Sequence, residues 1–358
     1  VVGSAERVRS RPARGLGGTA RRPGAAIAVA AVAALVIAVA ALGLGRFGVP
    51  VEQVCRILAG QFVDLAPTWQ PNQERVVLLV RLPRVLESLF VGGGLALAGA
   101  VLQAVFRNPL VSPQILGLSS GASVGGALAL LLGLGSVAVV GGALAFGLAS
   151  LVLLFALTRG GGAASPILMV VLAGVVIGSF ASALVSLISY LADPQNQLPA
   201  IVFWLMGSLA TATYPNALVA AVTLAVGAAV VLPLRWRVNV LSLGDEDAAA
   251  LGVRPERLRW VLLVAVALVV AGAVAISGVI GWVGLVVPHL CRMWVGPDHR
   301  VLLPLSLLVG GGYLTVIDTI ARTATPGEVP LGVLTAVVGA PAFFVLLRLR
   351  GRRVWADA

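Results

Sequence analysis

Few side chains in this sequence could do covalent chemistry. Gly117-Leu118-Ser119-Ser120-Gly121 has the G-x-S-x-G form of a nucleophile motif, with His289 as a conceivable base. That form needs a strand leading into the serine, and no strand pattern precedes Ser119. A serine at the start of a membrane helix ordinarily caps or packs. An intramembrane serine protease is therefore a distant alternative. His289 and His299 are the only histidines; His289 and Cys291 lie two apart, so they share no helix face, and no carboxylate cluster accompanies them. No metal site is expected. Cys55 and Cys291 fall in different segments without a C-x-x-C spacing, so neither a knuckle nor a disulfide is expected. All 25 basic residues are arginine. A P-loop needs its lysine to reach the nucleotide phosphates, so the chain carries no standard ATPase site, and no Schiff-base chemistry either.

The remaining polar residues suggest binding and positioning. Arg81 and Arg84 bracket Pro83, and Arg322 stands near another apolar border. Arginines at such borders anchor in lipid headgroups, and their planar forks can also grip a carboxylate. Gly244 is followed by Asp245, Glu246 and Asp247, then Ala248, Leu251 and Gly252. Acids in a first turn oppose the helix dipole favourably and glycine suits the end, so this reads as a short, well-capped helix. Gly174, Gly178, Ser182 and Ser186 recur every four residues, the pattern of a small-residue packing seam. Gly160, Gly161 and Gly162 permit large backbone changes in the loop before it.

The elements that must position these residues are membrane helices. The chain is 59% hydrophobic and 11% charged, with a mean hydropathy of +1.04. Soluble domains are nearer ~25% charged. We expect an all-α polytopic membrane protein without a sizeable soluble domain. The net charge of +11 sits at the ends of apolar runs, so a nucleic-acid partner is not expected. Apolar segments lie at about 24–44, 85–106, 117–134, 136–157, 166–190, 216–234, 260–277, 279–294, 301–321 and 331–347. That makes about ten transmembrane helices. The piece at 279–294 is short and holds Pro288, so it reads as short or tilted. Residues 24–44 are longer than a usual signal core and read as a retained first helix. The expected organisation is a basic tail (1–23), a membrane domain (24–348) whose most charged loop is 235–259, and a second tail (349–358).

Placing both termini in the cytoplasm and alternating through ten spans puts nineteen arginines inside and six outside. This satisfies the positive-inside rule. Arg81, Arg84 and Arg322 then lie outside and the 235–259 loop inside.

Four ordered stretches now resemble one family. They are Arg81-Leu82-Pro83-Arg84 through Gln103 to Arg107-Asn108-Pro109-Leu110 and the LGLSSGA run at 116–122; LSLGDEDAAALGV at 241–253; the 277–304 stretch with Pro288-His289; and the closing hairpin at 318–347. Together they resemble the FecCD-type permeases, the membrane subunits of ABC importers for ferric siderophores, haem and cobalamin. Departures such as Val111, Ser112, Gln114, Asp245 and Trp282 are mild, but they remove any basis for copying one member's substrate.

The resemblance implies a cobalamin-permease-like, type II importer fold in the cytoplasmic (inner) membrane. It implies a second permease copy or paralogue, an extracytoplasmic binding protein, and two ATPase subunits that hold ATP and Mg; no cofactor belongs to this chain. Arg81, Arg84 and Arg322 would receive acidic residues of the binding protein. Gly244, Asp245, Glu246, Ala248, Leu251 and Gly252 would form the coupling helix seated on an ATPase. Gly160, Gly161, Gly162, Gly174, Gly178, Ser182 and Ser186 would line or gate the pathway. Asn108, Pro109, Pro288 and His289 would be structural. A ferric siderophore is the first choice of substrate, with haem, cobalamin and oxyanions open. An ion-coupled carrier is the competing class, but it would need ionisable residues at mid-membrane, and the expected helix centres hold almost none.

Overall fold

The computed structural model describes residues 23–159, 166–325 and 327–356, and these are helical with no strand among them. The chain begins with α1 (Pro23–Gly43) and the short amphipathic α2 (Val51–Ala59). Next, α3 (Pro71–Arg75), a π-helical segment (Val76–Arg81) and α4 (Leu82–Val105) run on as one 35-residue helix. A helix-interior proline removes one backbone bond and crowds the carbonyl four residues back. For Pro83 that carbonyl is Leu79, inside the widened π segment, where the Leu82 amide bonds instead to Val77. The sequence reading began this helix after Arg84. The structure corrects it: both arginines sit within the helix.

A 3-10 turn (Pro113–Leu116) leads through Gly117, in the left-handed region at φ 72°, into α5 (Leu118–Leu131). α6 (Ser136–Thr158), α7 (Pro166–Leu191), the short α8 (Gln197–Leu205) and α9 (Tyr214–Val231) follow. The charged stretch expected as a loop is almost wholly helical: α10 (Arg235–Leu243), α11 (Asp245–Ala250) and the start of α12 (Pro255–Ser277). α13 (Val283–Val295), α14 (His299–Thr323) and α15 (Leu331–Ala356) complete the fold. α15 runs through the expected tail boundary at 348–349.

Seven helices among the described residues are long and apolar enough to cross a membrane. Three more segments expected as spans form shorter apolar helices, at Leu118–Leu131, Val283–Val295 and Leu331–Leu346. The chain is thus an all-helical, multi-pass membrane protein.

α4 is the axis. Its apolar window is 83% buried, against 28% for α6 and for α7, which marks those two as lipid- or partner-facing. Small residues make that burial possible. A Cβ on Gly92 would strike the Gly310 carbonyl of α14, and one on Gly99 would strike Gly284 of α13. Without a hydrophobic drive between helices in lipid, such backbone approach is what holds them together. A second packing unit joins α5, α6 and α7, with Gly125 on Gly142 and Gly121 on Ser150.

Candidate functional site: two polar clusters at the ends of α4

α4 carries a charged cluster at each end, about 35 Å apart at 1.5 Å per helical residue. At the first end, Arg84 is buried and all three of its guanidinium nitrogens donate to carboxylates. Nε and Nη2 bond Asp318 of α14 at 2.8–3.0 Å, and Nη1 and Nη2 bond Glu328 at 2.7 and 3.0 Å. Arg322 donates to the carbonyls of Ala41 and Leu44 (2.9 Å for the latter) and lies 3.7 Å from Asp318. Arg81 donates to the carbonyls of Leu42 (2.7 Å), Gly43 (3.0 Å) and Phe47. The last carbonyls of a helix have no intrahelical partner and carry the negative end of its dipole. Two of the three arginines therefore cap α1, and the third clamps α4 to α14.

The three arginines expected to receive a binding protein, Arg81, Arg84 and Arg322, already have partners within this chain. Arg81 and Arg84 are only 4% and 7% exposed and turned inward. Sequence reasoning also missed Glu87, which is buried and accepts the Thr213 amide at 3.0 Å. Ser88 and Thr315, 2.8 Å apart, extend the polar seam between α4 and α14. The signal was present: Asp318 in an apolar run requires a buried cation, and Arg322 four residues on shares its face.

At the other end α4 stops at Phe106, and Arg107 takes a left-handed φ of 51°. The Asn108 side chain accepts the Leu110 amide at 2.9 Å, closing the Asn108-Pro109 turn. Arg107 reaches Asp245 of α11 at 3.1 Å, and the buried Arg259 of α12 bonds the same carboxylate, also at 3.1 Å. Gly244, at φ 140°, makes the sharp joint between α10 and α11 that a side chain would strain. The expected coupling residues divide. Ala248 is fully buried in the core, so it is not on the presented edge. Glu246, Leu251 and Gly252 are exposed, and Leu251 is 55% so.

Beside them, Asn239 of α10 bonds Asp298 at 2.7 Å and accepts the His299 amide at 2.8 Å. Asp298 caps α14 through the Arg300 amide, at 2.9 Å. Hydrogen bonds from Arg300, then Asn239, hold its carboxyl well below the usual carboxylate range. Arg292 donates to Gln103 at 2.9 Å, joining α13 to α4.

Gly174 packs against the Ile115 carbonyl, so that end of the expected stripe is a packing seam. Ser182 and Ser186 are exposed, and with Ser120 and Ser123 they line a cavity of about 280 Å³ between α5 and α7. Gly160, Gly161 and Gly162 lie outside the described residues. The buried His289 ring meets Phe343 of α15 edge to face at 5.5 Å, and Pro288 lies inside α13. Ser119 is on α5, reached from a 3-10 turn rather than a strand, so the elbow that a serine nucleophile needs is not formed. No group of three or more metal-ligating side chains occurs among the described residues.

The chain is a helical membrane bundle with a buried charge clamp at one end of α4 and a short, partly exposed helix at the other. The FecCD transport family model matches residues 31–349, and the chain belongs to that family. It is 44% identical to the molybdate import system permease protein MolB of Haemophilus influenzae, over 87% of this chain and 92% of that one. It is 40% identical to a probable iron chelatin transport system permease of Helicobacter pylori, over 90% and 98%. A solved structure described as an inward-facing, metal-chelate type ABC transporter superposes with a TM-score of 0.82 at 41% identity, covering 91% of this chain and 99% of that one.

Proposed function

We propose that this permease carries a metal chelate, a ferric siderophore first, across the cytoplasmic membrane by alternating access. Two copies, or one copy and a paralogue, would form the pathway. Two ATPase subunits would bind ATP and Mg and dock at the α11 end, and a binding protein would deliver ligand at the Arg84 end. The three short apolar helices would complete ten spans with both termini inside.

The observation that carries the reading is the α10–α11 unit. It is pinned to α4 and α12 through a single carboxylate, Asp245, while Leu251 and Glu246 are left exposed. A force on α11 would reach the central helix directly. The serine-lined cavity supports a weakly polar route, since neutral hydroxyls pass a bulky complex without gripping it. In this reading Arg81, Arg84 and Arg322 brace the docking face rather than touch the binding protein.

The MolB relative favours a second substrate reading, an oxyanion. Uptake into proteoliposomes separates the two, using the permease with its ATPase and binding protein and either a radioiron–siderophore complex or radiolabelled molybdate. ATP-dependent iron uptake without molybdate uptake supports the first reading. Molybdate uptake alone replaces it, and uptake that persists without the ATPase would return the chain to the ion-coupled carriers.

A further inference from the structure

A basic recess lies where α10 meets the start of α12, bordering the proposed coupling helix at Gly252. Arg237, Arg254 and Arg257 line a cavity of about 430 Å³ together with Leu234, Leu258 and Val261. None of the three arginines has an ion pair or side-chain hydrogen bond among the described residues. This sets them apart from Arg84, Arg107 and Arg259, whose charges are answered by carboxylates. Glu256 lies between two of them in sequence but does not line the cavity.

The recess has a direction. α12 is one of the seven helices able to cross a membrane. Arg257, Val261 and Val264 are exposed at four- and three-residue spacing, so they form one face. That face starts with a cation and continues apolar into the span, with Val261 39% and Val264 53% exposed. Trp236 of α10, next to Arg237 in sequence, is 52% exposed, and tryptophan is a residue type that favours the membrane interface. A headgroup-sized basic pocket opening onto an apolar track is complementary to a molecule with an anionic head and a hydrocarbon tail. A soluble protein partner could answer the arginines, but it could not follow Val261 and Val264 into the membrane.

We propose that Arg237, Arg254 and Arg257 form a binding site for an anionic phospholipid, with the lipid phosphate held by the guanidinium forks and an acyl chain along Val261 and Val264. Guanidinium groups match phosphate geometry with paired donors. A basic pocket between membrane helices is a recognised setting for such headgroups. The site rests on the multi-pass reading of α12 but not on the substrate or the direction of transport. It adjoins the Gly252 end of α11, so an occupied site would stiffen the segment that the proposed ATPase moves.

The test uses the full chain purified in detergent. Cardiolipin or phosphatidylglycerol is added from mixed micelles, with phosphatidylcholine as the neutral control, and retained lipid is counted by native mass spectrometry. We expect anionic lipid to be retained at least tenfold over phosphatidylcholine. Changing Arg237, Arg254 and Arg257 together to Gln should lower that retention by at least about tenfold, since each cation near an anionic surface is worth roughly fivefold. Val261→Glu, which leaves all three arginines in place, should lower it as well, and it keeps the test open if the triple variant does not fold. Equal retention of neutral and anionic lipid would overturn the proposal. So would unchanged retention in both variants, or an equal loss when Arg348, Arg350 and Arg352 are changed to Gln instead. Inorganic phosphate displacing the lipid at millimolar concentration would show a free-anion site and also overturn it. Transport is not measured, so failure of the proposed function leaves this result intact.

Discussion

The two ends of α4 solve the same electrostatic problem in opposite ways. At the Arg84 end the guanidinium groups of Arg81, Arg84 and Arg322 are turned inward, and their charges are shared among Asp318, Glu328 and the last carbonyls of α1. At the Asp245 end one carboxylate serves two arginines, the contact with Arg107 is open to solvent (Arg107 is 38% and Asp245 43% exposed) while Arg259 is buried, and uncompensated cations stand nearby. Breaking one partner of a buried pair costs about 3–5 kcal/mol, because the other charge is stranded. An exposed pair is worth about 0–1 kcal/mol. The first end is therefore a lock, and the second a hinge in the proposed cycle.

The largest effect should come from breaking the lock. Asp318→Asn leaves Arg84 and Arg322 without their shared anion. We expect it to cost about 3–5 kcal/mol, read as a large fall in the detergent melting midpoint. The double change Arg84→Met with Asp318→Leu should recover at least half of that loss. A double variant as unstable as the single would show that the cluster is not held by this pair. Next in size is the helix crossing. Gly99→Leu drives a side chain into the Gly284 backbone. Overpacking of this kind costs about 1–3 kcal/mol, and a melting point equal to wild type would show that α4 and α13 are not clamped there.

The sequence revealed the helices far better than their charged partners. Apolar runs set where the helices lie, because lipid permits few other backbone solutions, and all ten expected segments are helical. The acidic first turn after Gly244 likewise marked α11. Two features were hidden for physical reasons. The π segment at Val76–Arg81 has no pattern of its own, and it moved Arg81 and Arg84 from a loop into a helix. The Arg84–Asp318 pair spans more than two hundred residues, so a side chain that looked like a surface fork could be recognised as a clamp only once α4 and α14 were packed together. Ala248 shows the same limit on a smaller scale. The acids around it fixed the short helix but not which face turned inward.

The smallest structural effects belong to the hinge, and there function and stability should separate. Arg107→Gln removes the exposed ion pair and leaves the buried Arg259 on Asp245, so it should shift stability by no more than about 1 kcal/mol. In the reconstituted transporter it should nevertheless lower ligand moved per ATP hydrolysed, since α11 would lose its link to the end of α4. Leu251→Ala should be gentler still. An exposed side chain away from any buried network usually changes stability by less than about 0.5 kcal/mol, so the melting point should stay put while ATPase affinity falls. Ala248→Leu supplies the contrast within the same helix. Its site is closed, so it should lower the melting point by overpacking before any partner is present. If Leu251→Ala moves the melting point as much as Ala248→Leu does, α11 is part of the packed core on both faces, and the difference between a locked end and a hinged end is lost.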